Sequence, residues 1–397
     1  MQSHCHARLV VLSGLIALGL ATPPEALARI KLITLPKRQR VEIQLDHPNV
    51  TLVEEERVVP LLKGVNQVDF AWANTAIDKD SIQFRALTDP EHVKVLSVSY
   101  PPNENALVWQ VSAAESGPAK VRISYIIGQL NKSFEYRATA SHDEKTLLLT
   151  QYVRLTNLAN EEFGDAGLWA GFGEHFLRPI GINETKQVLS AKFAGVPVQK
   201  TYTCNPAEFD YLDRGKDQLR VPMHYVLKND KAHQLGQFPL MPGKARIFQD
   251  DGKGGSAFVG EDWGRFTPID DEMKLYLGLA KDIVVKRTIE RRDQKRVGGN
   301  LYNYDVVIKY EIENFKDSPA VLDVSESLHH IRNEIRGESN RDVDWELGKE
   351  TTFADTLDKE KGTFDKVIFH IPLQPRAADG KAEKVIHELH VLIKNEW

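Results

Sequence analysis

The chain has 397 residues, 42% of them hydrophobic and 27% charged, which is enough for a folded core and more than one typical domain contains. This composition excludes a wholly disordered chain and a membrane protein with several spanning helices. The formal net charge is −5, from 51 basic and 56 acidic residues, so no overall positive field attracts nucleic acid, and the two cysteines are too few for a disulfide framework.

Residues 1–28 have the pattern of a signal peptide. Arg8 precedes an unbroken run of apolar and small residues from Leu9 to Ala21, and Ala26-Leu27-Ala28 has the small-x-small pattern that signal peptidase recognises. The run is shorter than the roughly 20 residues that span a bilayer. We therefore expect a bacterial protein that is periplasmic or secreted, that begins near Arg29 once processed, and that then has no transmembrane segment. A buried core helix or an anchor that is never cleaved are the alternatives.

From residue 41 onward, apolar and polar residues alternate with a period of two, which indicates strands. Turn-forming residues separate these runs, and the stretch 250–255 lies between two short strand patterns, as a hairpin loop does. Many short strands with frequent turns predict an all-β fold of antiparallel β-sandwich type. The clearest runs are Val41–Leu45, Val93–Val98, Val121–Ile127 and Asp305–Ile312.

The composition indicates two β modules joined by a short linker. Proline, asparagine, serine and glycine gather at 103–118. We therefore predict an N-terminal β module at 29–102, a linker at 103–118 and a larger C-terminal β-sandwich module at 119–397. The segment 160–183 is dense in glycine and aromatic residues, and we predict that it is a long connection between strands.

Removal of residues 1–28 leaves Cys204 as the remaining cysteine. The stretch Thr201-Tyr202-Thr203-Cys204 alternates, and on a strand Tyr202 and Cys204 share one face. We therefore expect Cys204 to be a small buried side chain. A thiol that reacts, or that pairs between chains, is the alternative.

Recognisable strand and turn motifs follow one another along the chain. They are Val50–Glu54, Leu61–Asn66, Ile77–Ile82, Val121–Tyr136, Val153–Asn157, Glu161–Phe163, Leu240–Phe248, Phe258–Asp262, Leu275–Gly278 and Tyr310–Lys316. In this order they resemble the two modules of the mucoidy-inhibitor-A-like family, of which the C-terminal one is catalogued as a domain of unknown function. The resemblance implies a β fold and transfers no catalytic residue. Members of that family typically carry a long coiled coil between the modules, where this chain has only 103–118.

The sequence contains no assembled catalytic motif. G-x-S-x-G, S-x-x-K and Walker A sequences are missing, and Gly171-Phe172-Gly173 is only a fragment of a dinucleotide-binding loop. Asp342 and Asp344 share one face of a strand, where they form a candidate contact for a cation or a sugar, with Trp345 as a candidate sugar platform. Like charges on a solvated strand and a core tryptophan are the ordinary alternatives.

Two histidine pairs invite a metal interpretation. His387 and His390 lie three residues apart in a predicted strand, so their side chains point to opposite faces, and the neighbours His329 and His330 diverge for the same reason. A two-histidine site on a helix needs a spacing of four residues. We therefore predict no metal, no cofactor and no catalytic residue.

The one concentrated charge feature is the basic run 286–296. If 274–289 and 301–313 pair as a hairpin, Gly298-Gly299-Asn300 supplies the turn, and the run lies at the outer end. There it is either a contact for anionic envelope polymer or lipid head groups, or a solvated tip whose charges protect an exposed sheet edge. The candidate contact residues are Arg291, Arg292, Lys295 and Arg296.

These observations favour a non-enzymatic, exported β-sandwich protein that binds or scaffolds an envelope protein or polysaccharide. The alternative is a hydrolase that acts on envelope carbohydrate through a pair of carboxylates brought together by the fold. A groove with two facing carboxylates would favour the enzyme, and its absence would favour the binding protein.

Overall fold

The structure is a computed structural model that describes residues 31–45, 47, 49–72, 74–169, 176–210, 216–335 and 343–396. Strands make up most of this part of the chain, which contains a single short α-helix, α1 (Leu328–Ile335). The predicted all-β class is therefore confirmed. The predicted signal peptide 1–28 lies outside the described residues. Within them, no helix is long and apolar enough to cross a membrane.

The strands follow one another along the chain with short turns between most of them. They are β1 (Lys31–Thr34), β2 (Arg40–Gln44), β3 (Thr51–Leu61), β4 (Gly64–Ala71), β5 (Gln83–Ala86), β6 (Val93–Ser99), β7 (Ala106–Ala113), β8 (Gly117–Ile127), β9 (Leu130–Ala140), β10 (Thr146–Asn157), β11 (Gly164–Trp169), β12 (Phe176–Ile180), β13 (Thr185–Pro197), β14 (Gln199–Cys204), β15 (Gln218–Leu219), β16 (Pro222–Lys228), β17 (Gly243–Asp250), β18 (Ser256–Gly264), β19 (Glu272–Leu279), β20 (Ile283–Gly298), β21 (Leu301–Asn314), β22 (Ala320–Ser327), β23 (Asp344–Leu347), β24 (Lys366–Leu373) and β25 (Lys384–Glu396). Short 3-10 helices lie at Lys79–Ser81, Lys231–His233 and Ala354–Thr356.

The described strands form five sheets. Their strand orders are β1-β4-β7-β6 (sheet 1), β12-β11-β2-β3-β8-β5 (sheet 2), β13-β10-β9-β17-β18 (sheet 3), β19-β16-β14-β22-β24 (sheet 4) and β15-β20-β21-β25-β23 (sheet 5). Many pairs are antiparallel, but β1–β4, β2–β11, β9–β17 and β14–β22 are parallel. The sheets therefore include parallel as well as antiparallel pairs. Alternation could not predict the parallel ones, because it records which face of a strand is buried and carries no information about the direction of its partner.

The chain divides into two compact units. The first comprises the described residues up to Gln39 together with Glu56–Asn74 and Gln83–Ile123, and it contains sheet 1. The second comprises Arg40–Glu55, Thr75–Ile82 and the chain from Ser124 onward, and it contains sheets 3, 4 and 5.

The segment predicted as a linker, 103–118, holds β7 and the first residues of β8. β7 pairs with both β4 and β6, and its Trp109 is almost fully buried against Phe70 and Phe84, with ring centroids 5.7 and 5.1 Å apart. The turn residues on either side of β7 mark the two ends of a strand and do not form one continuous connection. The segment 160–183 is likewise different from its prediction, since β11 and β12 within it pair as antiparallel strands.

Sheets 4 and 5 enclose a common core, as the two sheets of a β-sandwich do. Tyr202 and Phe369 of sheet 4 belong to the same buried cluster as Tyr310 and Leu389 of sheet 5. Cys204 is 0% exposed in this cluster and shares a face with Tyr202, so its predicted burial is confirmed. Burial raises the pKa of the Cys204 thiol to about 12, which keeps it protonated and unreactive at neutral pH.

Four buried asparagines stabilise turns next to strands. They are Asn66, Asn157, Asn229 and Asn314. In each, the side-chain amide donates to two or more main-chain carbonyls, and its oxygen accepts a main-chain N–H. The carbonyl acceptors are those of Leu62, Gly64 and Val111 for Asn66, of Glu161 and Gly181 for Asn157, of Phe238, Thr267 and Pro268 for Asn229, and of Ser318 and Gln374 for Asn314. Asn66, Asn157 and Asn314 occur in the motifs that carry the family resemblance, and their role is to satisfy buried backbone groups.

Candidate functional site

The basic run lies on the hairpin of β20 and β21. The turn is at its predicted place, with Gly299 at φ +54°, and residues 291–300 are all exposed. The first strand of the hairpin differs from its prediction. Residues 274–279 belong to β19, which pairs with β16 in sheet 4, and β20 begins only at Ile283.

The strand register divides the four candidate residues between two faces. Arg291 and Lys295 lie opposite Val307 and Asn303, whereas Arg292 and Arg296 lie opposite Val306 and Tyr302, and successive side chains on a strand point to opposite sides. The run is therefore not one continuous patch. The four side chains stay a predicted contact for anionic envelope material.

Three of these side chains have partners within the protein. Arg291 forms ion pairs of 3.0 Å with Asp305 and 3.4 Å with Asp293. Arg292 donates to the Ile335 carbonyl at the end of α1 over 2.8 Å, and Arg296 donates to the Gly299 carbonyl over 2.7 Å.

Arg287 belongs to the same run in sequence but not in space. Its side chain is 4% exposed and its Nε donates to Glu326, itself 0% exposed, over 2.6 Å. Its Nη2 donates to Glu334 of α1 over 2.7 Å, and the Tyr310 hydroxyl also hydrogen-bonds Glu326. Burial opposes the charge of Arg287, but Glu326, Tyr310 and Glu334 outweigh it and hold the guanidinium pKa well above its usual value.

The histidine pairs do not assemble into a metal site. His387 packs edge-on against Phe353, with ring centroids 5.3 Å apart, whereas His390 lies on the opposite face of β25 near Glu388. This division is the predicted one. The prediction of a strand at His329 and His330 is wrong, because they lie in α1, where His330 is buried and His329 is exposed. No group of three potential metal-ligating side chains is found in the described part of the chain.

The predicted acidic pair beside Trp345 is only partly within the structure. Asp342 lies outside the described residues, and Asp344 is exposed at the start of β23. Trp345 packs against the sandwich core and donates from Nε1 to the Phe364 carbonyl over 2.8 Å. Its ring therefore serves the core, which was the ordinary alternative to a sugar platform.

One histidine is held between two carboxylates. In His370, Nδ1 lies 2.6 Å from Asp323 and Nε2 lies 2.9 Å from Asp358, so the imidazolium can donate to both. Partial burial acts against the charged ring, but the hydrogen bonds to Asp358 and Asp323 outweigh it and raise the His370 pKa. Hydrogen bonds from His370 and from main-chain N–H groups lower the pKa of Asp358 to about 2.

We expect this bridge to make stability depend on pH. The His370 contribution is complete below its ordinary pKa of 6.5 and is lost as the pH rises through the raised folded-state value. The Asp358 contribution is complete above 3.8 and is lost as the pH falls through about 2. Denaturant unfolding should therefore show His370→Gln to be less stable than wild type at about pH 5, with a smaller difference at about pH 9. An equal difference at both pH values would show that the imidazolium charge is irrelevant.

An open cleft of about 1200 Å³ lies beside the edge strands β18 and β19. Its wall is formed by the end of β18 and the loop after it, the neighbouring strands β16 and β19, the turn after β14 and Lys361. Asp262 joins the two edges: its Oδ2 accepts the Tyr276 N–H over 2.7 Å, and its Oδ1 accepts the Trp263 N–H over 2.7 Å. These bonds hold the Trp263 segment in place over the cleft.

Aromatic side chains are prominent in the cleft. Trp263 is 65% exposed and Phe266 is 54% exposed, although tryptophan and phenylalanine normally bury most of their surface. Lys244 lies over the Trp263 ring, 5.6 Å from its centroid. Tyr276 and Phe209 complete the aromatic lining. The cleft therefore presents flat apolar surfaces to solvent.

Most of the remaining lining is polar, and its charges are nearly balanced. The acidic side chains are Glu208, Asp262, Asp271 and Glu272, and the basic ones are Arg265, Lys274 and Lys361. His224 is half-buried beside Tyr276, and its Nδ1 has no hydrogen-bond partner among the described residues. Burial, and then the nearby charge of Lys274, lower the His224 pKa, so that the ring is neutral at neutral pH. A neutral ring suits hydrogen bonding to an uncharged ligand.

None of the motifs singled out in the sequence predicts this cleft, although one signal for it is present. The motif Phe258–Asp262 ends immediately before Trp263, which is followed by Gly264, Arg265 and Phe266. Two large aromatic residues among a glycine and charged residues, at the end of an edge strand, are expected to be exposed. The other walls come from distant parts of the chain, and no local pattern connects them.

Comparison with known proteins leaves the family open. No protein-family model matches the chain, and no curated protein matches it either. The resemblance to the mucoidy-inhibitor-A-like family therefore stays a prediction.

Proposed function

We propose that this chain is an exported, non-catalytic protein that binds a polysaccharide of the bacterial cell envelope in the Trp263 cleft. The observation that carries the proposal is the exposure of Trp263 and Phe266 in a cleft that is also lined by charged and hydrogen-bonding side chains. A sugar ring has apolar C–H faces and a polar edge, so it matches aromatic surfaces flanked by polar groups.

Two of the four carboxylates that line the cleft accept main-chain N–H groups, which favours binding over hydrolysis. A glycosidase needs an acid and a second carboxylate that are both available to the substrate. In this cleft both oxygens of Asp262 accept main-chain N–H groups, and Asp271 accepts the Glu272 N–H over 2.7 Å. These two carboxylates therefore hold the cleft wall in shape. Incubation with envelope polysaccharide should release no new reducing ends, and their release would favour the hydrolase.

The binding test uses Trp263→Ala. We expect it to weaken binding of a chitin disaccharide or hexasaccharide by about tenfold or more, because a central aromatic contact in an interface commonly accounts for more than 1 kcal/mol. Isothermal titration calorimetry measures the affinity. The matched control is Phe315→Ala, which removes a 40%-exposed aromatic side chain outside the cleft. Equal affinity in wild type and Trp263→Ala would exclude the cleft as the sugar site.

Export is the second part of the proposal, and the signal-peptide pattern in 1–28 supports it. Protein recovered from its native host should be in the periplasm or the medium, with an N-terminus at or near Arg29. N-terminal sequencing after cell fractionation tests this. An intact Met1 terminus in the cytoplasmic fraction would contradict it.

A further inference from the structure

We infer that the outer face of sheet 3 extends the Trp263 cleft into a track for a linear acidic polysaccharide. The inference rests on the proposed function, because Trp263 belongs to both the cleft and this face. It adds the length and the charge of the ligand, neither of which the cleft alone defines.

The first argument is continuity along the edge of the sheet. Trp263 and Phe258 lie opposite Lys244 and Phe248 of β17, so both project from the outer face. Lys244 and Phe248 are four residues apart, which places the two exposed rings about 14 Å apart along the strands. Phe258 is 60% exposed and packs edge-on against Phe248, with ring centroids 5.6 Å apart. This separation exceeds the length of one sugar ring, so a single polymer chain can contact both aromatic sites.

The second argument is a basic row that crosses the sheet between the two aromatic sites. Arg246 of β17 lies opposite Arg137 of β9. Thr150 of β10 lies between Arg137 on one side and Lys192 of β13 on the other. Arg246, Arg137 and Lys192 are all exposed. Arg137 also lies over the Phe248 ring, 4.6 Å from its centroid, so it joins the row to the second aromatic site.

The charge of the whole face is positive. The basic side chains on this face outnumber the acidic ones by five to three. Glu135 and Glu261 form ion pairs with some of the basic side chains, and the face still keeps an excess of positive charge. The basic members are Arg137, Arg154, Lys192, Lys244 and Arg246, and the acidic members are Glu135, Asp250 and Glu261. A polymer that carries carboxylates at intervals complements this face better than a neutral polymer does.

The test compares two hexasaccharides of similar length, one from hyaluronan, which alternates glucuronate with N-acetylglucosamine, and one from chitin, which is neutral. Wild type should bind the hyaluronan hexasaccharide more tightly than the chitin one, with an advantage that shrinks as salt rises. Phe258→Ala and Arg137→Gln should each weaken hyaluronan hexasaccharide binding by at least about fivefold and leave chitin disaccharide binding unchanged. Both side chains are exposed, so circular dichroism should show an unchanged fold.

The charge control is the combined replacement by glutamine of four exposed lysines that lie outside sheet 3, the cleft and the β20–β21 hairpin: Lys63, Lys94, Lys281 and Lys381. It should bind the hyaluronan hexasaccharide as wild type does. Loss of binding in this variant, or wild-type affinity in Phe258→Ala and Arg137→Gln, would overturn the track. Unchanged disaccharide binding by Trp263→Ala would instead overturn the proposed function, and wild type that binds neither hexasaccharide would overturn both.

Discussion

Replacement of Arg287 by methionine should lower the free energy of unfolding by about 3–5 kcal/mol. The guanidinium is the counter-charge of Glu326, which is fully buried in the sandwich core and has a second hydrogen bond from Tyr310. Without Arg287, the carboxylate is left in the core with no positive partner, which is the costly way to break a buried ion pair. Urea unfolding followed by tryptophan fluorescence measures the change.

The double variant Arg287→Met/Glu326→Leu separates the cost of an unpaired charge from the cost of lost packing. Removal of both charges is often neutral or stabilising, so the double variant should be more stable than Arg287→Met alone. Glu334 is partly exposed and can turn to solvent once its partner is gone. If the free energy of unfolding of Arg287→Met were within about 1 kcal/mol of that of wild type, water would have to reach Glu326.

Replacement of Asn229 by alanine should lower the free energy of unfolding by about 2–4 kcal/mol and should also weaken sugar binding in the cleft. Its amide donates to the carbonyls of Phe238, Thr267 and Pro268 over 3.0–3.2 Å, and its oxygen accepts the Gly236 N–H over 2.9 Å. With alanine, the Phe238 carbonyl and the Gly236 N–H lose this partner, whereas the carbonyls of Thr267 and Pro268 keep the N–H groups of Leu240 and Asp271. The cost of each buried group left unpaired is of the order of 1 kcal/mol or more. Because Thr267 lines the cleft, binding of the chitin disaccharide should weaken as well.

Two further variants make the Asn229 prediction specific. Asn229→Asp keeps the acceptor and loses the donor, so it should be no more stable than Asn229→Ala. Asn300→Ala, in the exposed turn of the β20–β21 hairpin, should unfold as wild type does. Thermal and urea unfolding with sugar titration measure both properties. A fully stable Asn229→Ala that still binds sugar would show that the loop holds its shape without the asparagine.

Local sequence patterns correctly predicted the structural features that depend only on neighbouring residues. The alternation around Cys204 predicted its burial, and the same rule placed His387 and His390 on opposite faces of β25. The glycine-rich loop 250–255 correctly predicted the hairpin of β17 and β18, with Gly252 and Gly254 both at positive φ. Each case depends on the two-residue period of a strand or on a short turn.

Local sequence patterns predicted the wrong secondary structure for short elements. Helix α1 is only eight residues long, and the prediction of a strand at its two histidines is wrong. The turn residues on both sides of β7 dominate the composition of 103–118, so this composition predicts a linker where the structure has a strand. Short elements take their state from the surfaces they pack against, and those surfaces are formed by other parts of the chain.

Sequence alone thus determined that the chain is built of strands and which face of many strands is buried. Only the tertiary structure decided which strands pair, and therefore that β9 lies parallel to β17 and that β18 lies at an edge. It also separated Arg287, paired in the core, from Arg291, exposed on the hairpin. The cleft brings together side chains as distant in sequence as Glu208 and Lys361. Alternation specifies a face and carries no information about the neighbour, so a site assembled between strands exists only once the sheets have formed.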